Sequence, residues 1–62
     1  MIEVTRFKGT KIVINSDMIE TIEETPDTVI TLTNGKKYVV SESSKDIIGL
    51  VIDYKKHIFG KL

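Results

Sequence analysis

Apolar and polar residues alternate over residues 2–7, the period of two expected of a half-buried strand, and β-branched side chains are frequent there. Lys8-Gly9-Thr10 interrupts the pattern with turn formers and residues 11–14 resume it, which predicts an opening β-hairpin. Asn15-Ser16-Asp17 is a cluster of turn and cap formers. Residues 19–24 then run extended to Thr25-Pro26-Asp27-Thr28, where Pro26 pre-sets the second position of a turn with Asp27 beside it.

The sharpest local signal is Asn34-Gly35 between two apolar runs, since a two-residue type I′ loop requires positive φ at both positions. Closing the hairpin there pairs Leu32 with Lys37, Thr31 with Tyr38, Ile30 with Val39 and Val29 with Val40. One face then carries Ile30, Leu32 and Val39, the other Val29, Tyr38 and Val40, so the hairpin needs cover on both sides.

A helix is predicted after Ser43, which with Asp46 fits a capping box in which Asp replaces Glu; Ser44 is an alternative cap. Ile47, Val51, Tyr54 and Ile58 form one stripe at helical spacing; Ile48, Ile52 and Phe59 form a second, and Leu50 widens the apolar surface on the other flank. Gly49 costs the helix about 1 kcal/mol relative to alanine and reads as a close-packing point. Gly60 is the expected stop. The predicted class is α+β: a small antiparallel sheet of about five short strands in hairpins over residues 2–40, with one C-terminal helix over residues 44–59, in a single domain spanning 1–62.

Length sharpens this picture. A chain of 62 residues, 40% apolar, is too short for a deep catalytic cleft, and its core supplies only about 3–5 kcal/mol of net stability. It has no cysteine, so neither a disulfide nor a cysteine-type metal site adds to that, and self-association is the expected supplement. Val29, Tyr38, Val40, Ile48, Ile52 and Phe59 are the expected homo-oligomer interface.

Nine basic and nine acidic residues cancel, so no overall field draws the chain to nucleic acid or an anionic membrane. The charges are segregated: Asp17, Glu20, Glu23, Glu24 and Asp27 share their stretch with no Lys or Arg, while Lys55, Lys56 and Lys61 crowd the end. The alternating start is unlike a signal peptide, and no apolar run approaches the roughly 20 residues of a membrane span, so the cytoplasm is the expected compartment.

Candidate chemistry is sparse. The single histidine, His57, lies in the basic end of the helix, where the dipole accounts for it. The carboxylates match no EF-hand spacing, and Glu23 and Glu24, as strand neighbours, point to opposite faces and form no acid/base dyad. The glycines are too scattered to cradle a phosphate. No catalytic, cofactor or metal residues are assigned, and the chain is expected not to be an enzyme. Partner-binding candidates are Asn15, Asp17, Glu20, Glu23, Glu24 and Asp27, with Lys55 and Lys56 on the helix. The alternative is a small nucleic-acid-binding regulator that uses Arg6, Lys8 and Lys11 around Phe7 on a β-sheet surface.

Ile2-Glu3-Val4-Thr5-Arg6-Phe7-Lys8-Gly9, then Ile14-Asn15 and Asp17-Met18-Ile19-Glu20, resemble the opening of the FlbD/SwrD family of small flagellar and swarming-motility proteins. The resemblance continues almost unbroken through Thr21-Ile22-Glu23-Glu24-Thr25-Pro26-Asp27-Thr28-Val29-Ile30-Thr31-Leu32-Thr33-Asn34-Gly35-Lys36-Lys37-Tyr38-Val39-Val40, and covers residues 1–59 or so. It implies a cytoplasmic protein that supports swarming by raising flagellar motor power, with the stator units at the membrane-proximal motor as the expected point of action. The chain departs from the family pattern at Phe7, at Gly49, and at Ser16, where proline often follows the asparagine; these departures bear on packing.

Overall fold

The computed structural model describes residues 1–59. Strands β1 (Ile2–Thr5) and β2 (Lys11–Ile14) are followed by a single 3-10 turn (Ser16–Met18), strands β3 (Ile19–Glu24), β4 (Thr28–Leu32) and β5 (Lys37–Val40), and helix α1 (Ser44–Phe59). The strands form a two-stranded sheet, β1-β2, and a three-stranded sheet, β3-β4-β5, both antiparallel. The predicted α+β class and its order of elements are therefore observed.

The two sheets are joined at one corner. Arg6 bridges Val40, the Phe7 amide donates to the Val39 carbonyl at 3.1 Å, and the Ser41 amide donates to the Thr5 carbonyl at 2.8 Å. Within the three-stranded sheet the Thr33 amide donates to the Met18 carbonyl at 2.7 Å, extending the pairing of β3 with β4 past Ile19 and Leu32. Ile2, Val4, Ile14, Ile30, Leu32, Val40 and Ile47 are buried at the centre, and α1 closes the core by lying across β1 and β3. Leu50, Val51 and Tyr54 complete its packed face.

The register of the last hairpin differs by one residue from the sequence expectation. Val40 pairs with Thr28, Val39 with Val29, Tyr38 with Ile30 and Lys37 with Thr31. Only Gly35 takes positive φ (+89°); Asn34 does not. The Asn34 Oδ1 instead accepts the Lys36 amide at 3.0 Å, and the Leu32 amide donates to the Lys36 carbonyl at 2.8 Å, so the loop holds residues 33–35. This is the three-residue alternative to the type I′ loop, with glycine at the left-handed position. The opening hairpin repeats it: the Arg6 amide donates to the Thr10 carbonyl at 2.7 Å, and Gly9 has φ +94°.

Since side chains alternate with period two, the shift exchanges faces on β5. Tyr38 and Val40 turn inward beside Ile30 and Leu32, while Val29 and Val39 share the outer face. Val40 is buried within one chain and Tyr38 packs against the core, which corrects their assignment to an oligomer interface. Gly49 is also corrected: a Cβ placed there meets nothing within 4 Å, so it is no close-packing point. Pro26 lies in the loop 25–27 as expected of a turn residue, and its peptide bond with Thr25 is cis. Gly60, the expected stop, and Lys61 lie outside the described residues.

Candidate interaction surfaces

The start of α1 is built from carboxylates as well as its cap. Ser43 caps it as predicted, its Oγ accepting the Asp46 amide at 3.1 Å. Glu24, at the end of β3, accepts from both the Ser44 amide (2.9 Å) and the Ser44 hydroxyl (2.8 Å). These two bonds hold its carboxyl below the ordinary carboxylate value. Glu24 is thus engaged in tying β3 to the helix rather than free for a partner. Glu42, just before the cap, receives the Thr5 amide on both oxygens at 2.9 Å. Partial burial pushes its carboxyl up, but the Thr5 amide, its own amide and the nearby Lys11 charge together bring it below the ordinary value. The sequence reading missed Glu42, whose partner lies 37 residues away.

The predicted acidic group is divided by the fold. Asn15 caps the 3-10 turn, its Oδ1 accepting the Asp17 amide at 3.0 Å, and the Asp17 carboxylate pairs with Lys55 of the helix at 3.6 Å. Both side chains of that pair are well exposed, so it aligns the two elements more than it stabilises them. Glu20, Glu23 and Asp27 stay exposed on β3 and the loop after it, and Lys56 and His57 are exposed on the last turn of α1. Asn15, Asp17 and Lys55 are therefore brought together, while Glu20, Glu23, Asp27 and Lys56 are not.

Among the described residues, exposed apolar side chains gather on α1 and around the first loop. On α1 the stripe predicted as the second one, Ile48, Ile52 and Phe59, is 53%, 48% and 55% exposed; Ile58, the last residue of the first stripe, is exposed as well. The other surface surrounds the first loop, where Phe7 is 69% exposed. There Arg6, Phe7 and Lys8 face Lys37, Tyr38 and Val39 across an open cleft of about 410 Å³. Of the cations considered for nucleic acid, Arg6 and Lys8 line this cleft, whereas Lys11 acts on Glu42.

Among the described residues no group of three or more His, Asp or Glu is arranged to hold a metal ion, and no helix is long and apolar enough to cross a membrane. No curated protein and no solved structure matches the chain. A family model described as flagellar and swarming motility proteins matches residues 1–59, which takes in both hairpins, β3 and the whole described helix. The chain belongs to this family, FlbD, and its role lies in flagellar and swarming motility.

Proposed function

We propose that the protein is a non-enzymatic cytoplasmic interaction module that self-associates and raises flagellar motor power by contact with the motor, the stator units being the expected target. The supporting observation is the uncovered stripe of Ile48 and Ile52, each about half exposed on a helix whose opposite face already closes the core. A small domain gains from a second copy over such a stripe, because apolar surface removed from water contributes about 25 cal/mol per Å². The interface set is accordingly Ile48, Ile52 and Phe59 on the helix, with Val29 on the outer sheet face; Tyr38 and Val40 belong to the core. The polar turn at Asn15 and Asp17 and the exposed Glu20, Glu23, Asp27 and Lys56 remain available to the motor.

The test is the torque of single motors under high load, measured in cells that lack the chain and are complemented with wild type or with Ile48→Glu/Ile52→Glu. Wild type is expected to restore torque and swarming, and the double variant to restore neither while accumulating as folded protein. Unchanged torque in the deleted cells sinks the motor reading; full rescue by the variant sinks the self-association.

A further inference from the structure

Arg6 and Tyr38 line both the cleft beside the first loop and an adjoining hollow of about 350 Å³, whose other apolar lining residues are Ile12, Val13, Ile14, Met18 and Leu32. The whole trough is lined by Arg6, Lys8 and Lys37 as charged groups, and no carboxylate among the described residues lines it. An apolar floor with a one-signed cationic rim is complementary to an apolar side chain flanked by acids.

One wall also offers backbone. The Lys36 carbonyl bonds to β4 through Leu32, so by the alternation of an antiparallel ladder the backbone groups of Lys37 and Val39 face the opposite edge of β5. The Phe7 amide takes the Val39 carbonyl there, but the chain then turns away into its loop, leaving the Lys37 edge toward the cleft. An exposed strand edge beside side-chain pockets is the arrangement that accepts an extended peptide.

We infer that this trough binds an extended acidic segment of a partner protein: its backbone lies along β5 at Lys37, its carboxylates meet Arg6, Lys8 and Lys37, and an aliphatic or aromatic side chain enters the hollow under Tyr38. Single-stranded nucleic acid fits less well. It calls for a cationic track longer than Arg6, Lys8 and Lys37 provide, although Phe7 and Tyr38 line the trough, and the apolar hollow beyond them is better matched by a side chain than by a phosphate backbone. The inference rests on the interaction-module reading and gives that module a partner chemistry and a surface distinct from the helix stripe.

The test is amide-shift mapping on the isotope-labelled full chain, titrated with a short blocked peptide in which glutamates flank a phenylalanine and a leucine. Saturable shifts are expected at Phe7, Lys8, Lys37, Tyr38 and Val39. Affinity should fall about tenfold when glutamines replace the glutamates. Arg6→Glu/Lys37→Glu should abolish binding, and Phe7→Ser, an exposed loop change that leaves the fold in place, should weaken it. No saturable shift at millimolar peptide, shifts centred on Ile48 and Ile52, or equal binding of the glutamine peptide overturns the inference. Tighter binding of oligodeoxythymidine at the same amides overturns it in favour of nucleic acid. Peptide binding that fails in a chain still able to restore motor torque removes this inference alone; binding without any torque effect removes the motor reading alone.

Discussion

Gly35 and Gly49 occupy opposite situations. Gly35 sits at φ +89°, where a side chain is strained whatever space surrounds it, and Gly35→Ala is expected to destabilise by about 1 kcal/mol. Gly49 lies in a helix with open space around its missing Cβ, so Gly49→Ala is expected to stabilise by about 1 kcal/mol. Urea midpoints that move in opposite directions for the two variants check both. The sequence assigns Gly35 to a turn and Gly49 to the helix, but the neighbours that would distinguish a packing point from an open one at Gly49 come from elsewhere in the chain. Ser16 offers a second case. It is buried, its Oγ has no hydrogen-bond partner, and it begins a 3-10 turn after an extended Asn15 (ψ 108°). That backbone suits a following proline. Ser16→Pro is expected to raise stability by about 0.4–1 kcal/mol, read as a higher thermal midpoint, and a lower midpoint contradicts this account of the turn.

The strands and the helix depend on carboxylates at their junctions. Glu24 joins the end of β3 to the first turn of α1, and Glu42 joins the segment before the helix to β1. Both carboxyls are lowered in the folded chain, so each contributes stability that is present above the unfolded value of 4.5 and is lost as pH falls through the lower folded value. Denaturant midpoints are thus expected to hold from neutral pH to about pH 5 and to drop on further acidification. Glu42→Gln should lower the midpoint at neutral pH and flatten the acid limb. An acid limb as steep as that of wild type would show that the Thr5 contact carries no stability. The bonds of Glu42 and Glu24 were not legible from sequence, since they span 37 and 20 residues, whereas the Ser43 cap, which reaches only to Asp46, was.

The molecule as a whole presents a covered and an uncovered side of one helix. Ile47 is fully buried and Leu50, Val51 and Tyr54 pack with it against the core, while Ile48 and Ile52 are exposed. If copies associate through that stripe, folding and assembly are linked by mass action and the thermal midpoint rises with protein concentration. The midpoint of Ile48→Glu/Ile52→Glu is expected not to depend on concentration, and its mass by light scattering should be that of one chain. A wild-type midpoint independent of concentration, with a monomer mass, defeats self-association. The balance of nine acids against nine bases hides a division that matters here, because Arg6, Lys8 and Lys37 gather on one trough and Glu20 and Glu23 lie on β3.

Local information was sufficient for the elements themselves. Period-two runs, the glycine turns and a capped helical stripe place β2, β3 and α1 at their observed bounds and the other strands within a residue or two, because each such signal is read over a few neighbouring positions. Register and sidedness were decided only in three dimensions. Asn34-Gly35 is compatible with a loop of two or three residues, and what separates them is which residues of β5 must enter a core also shared by Ile2, Val4 and Ile47. The same holds for the trough, where Arg6, Met18 and Tyr38 meet across segments that carry no mutual signal along the chain. Hydrogen bonds and side-chain periods are local, but burial is a property of the assembled whole.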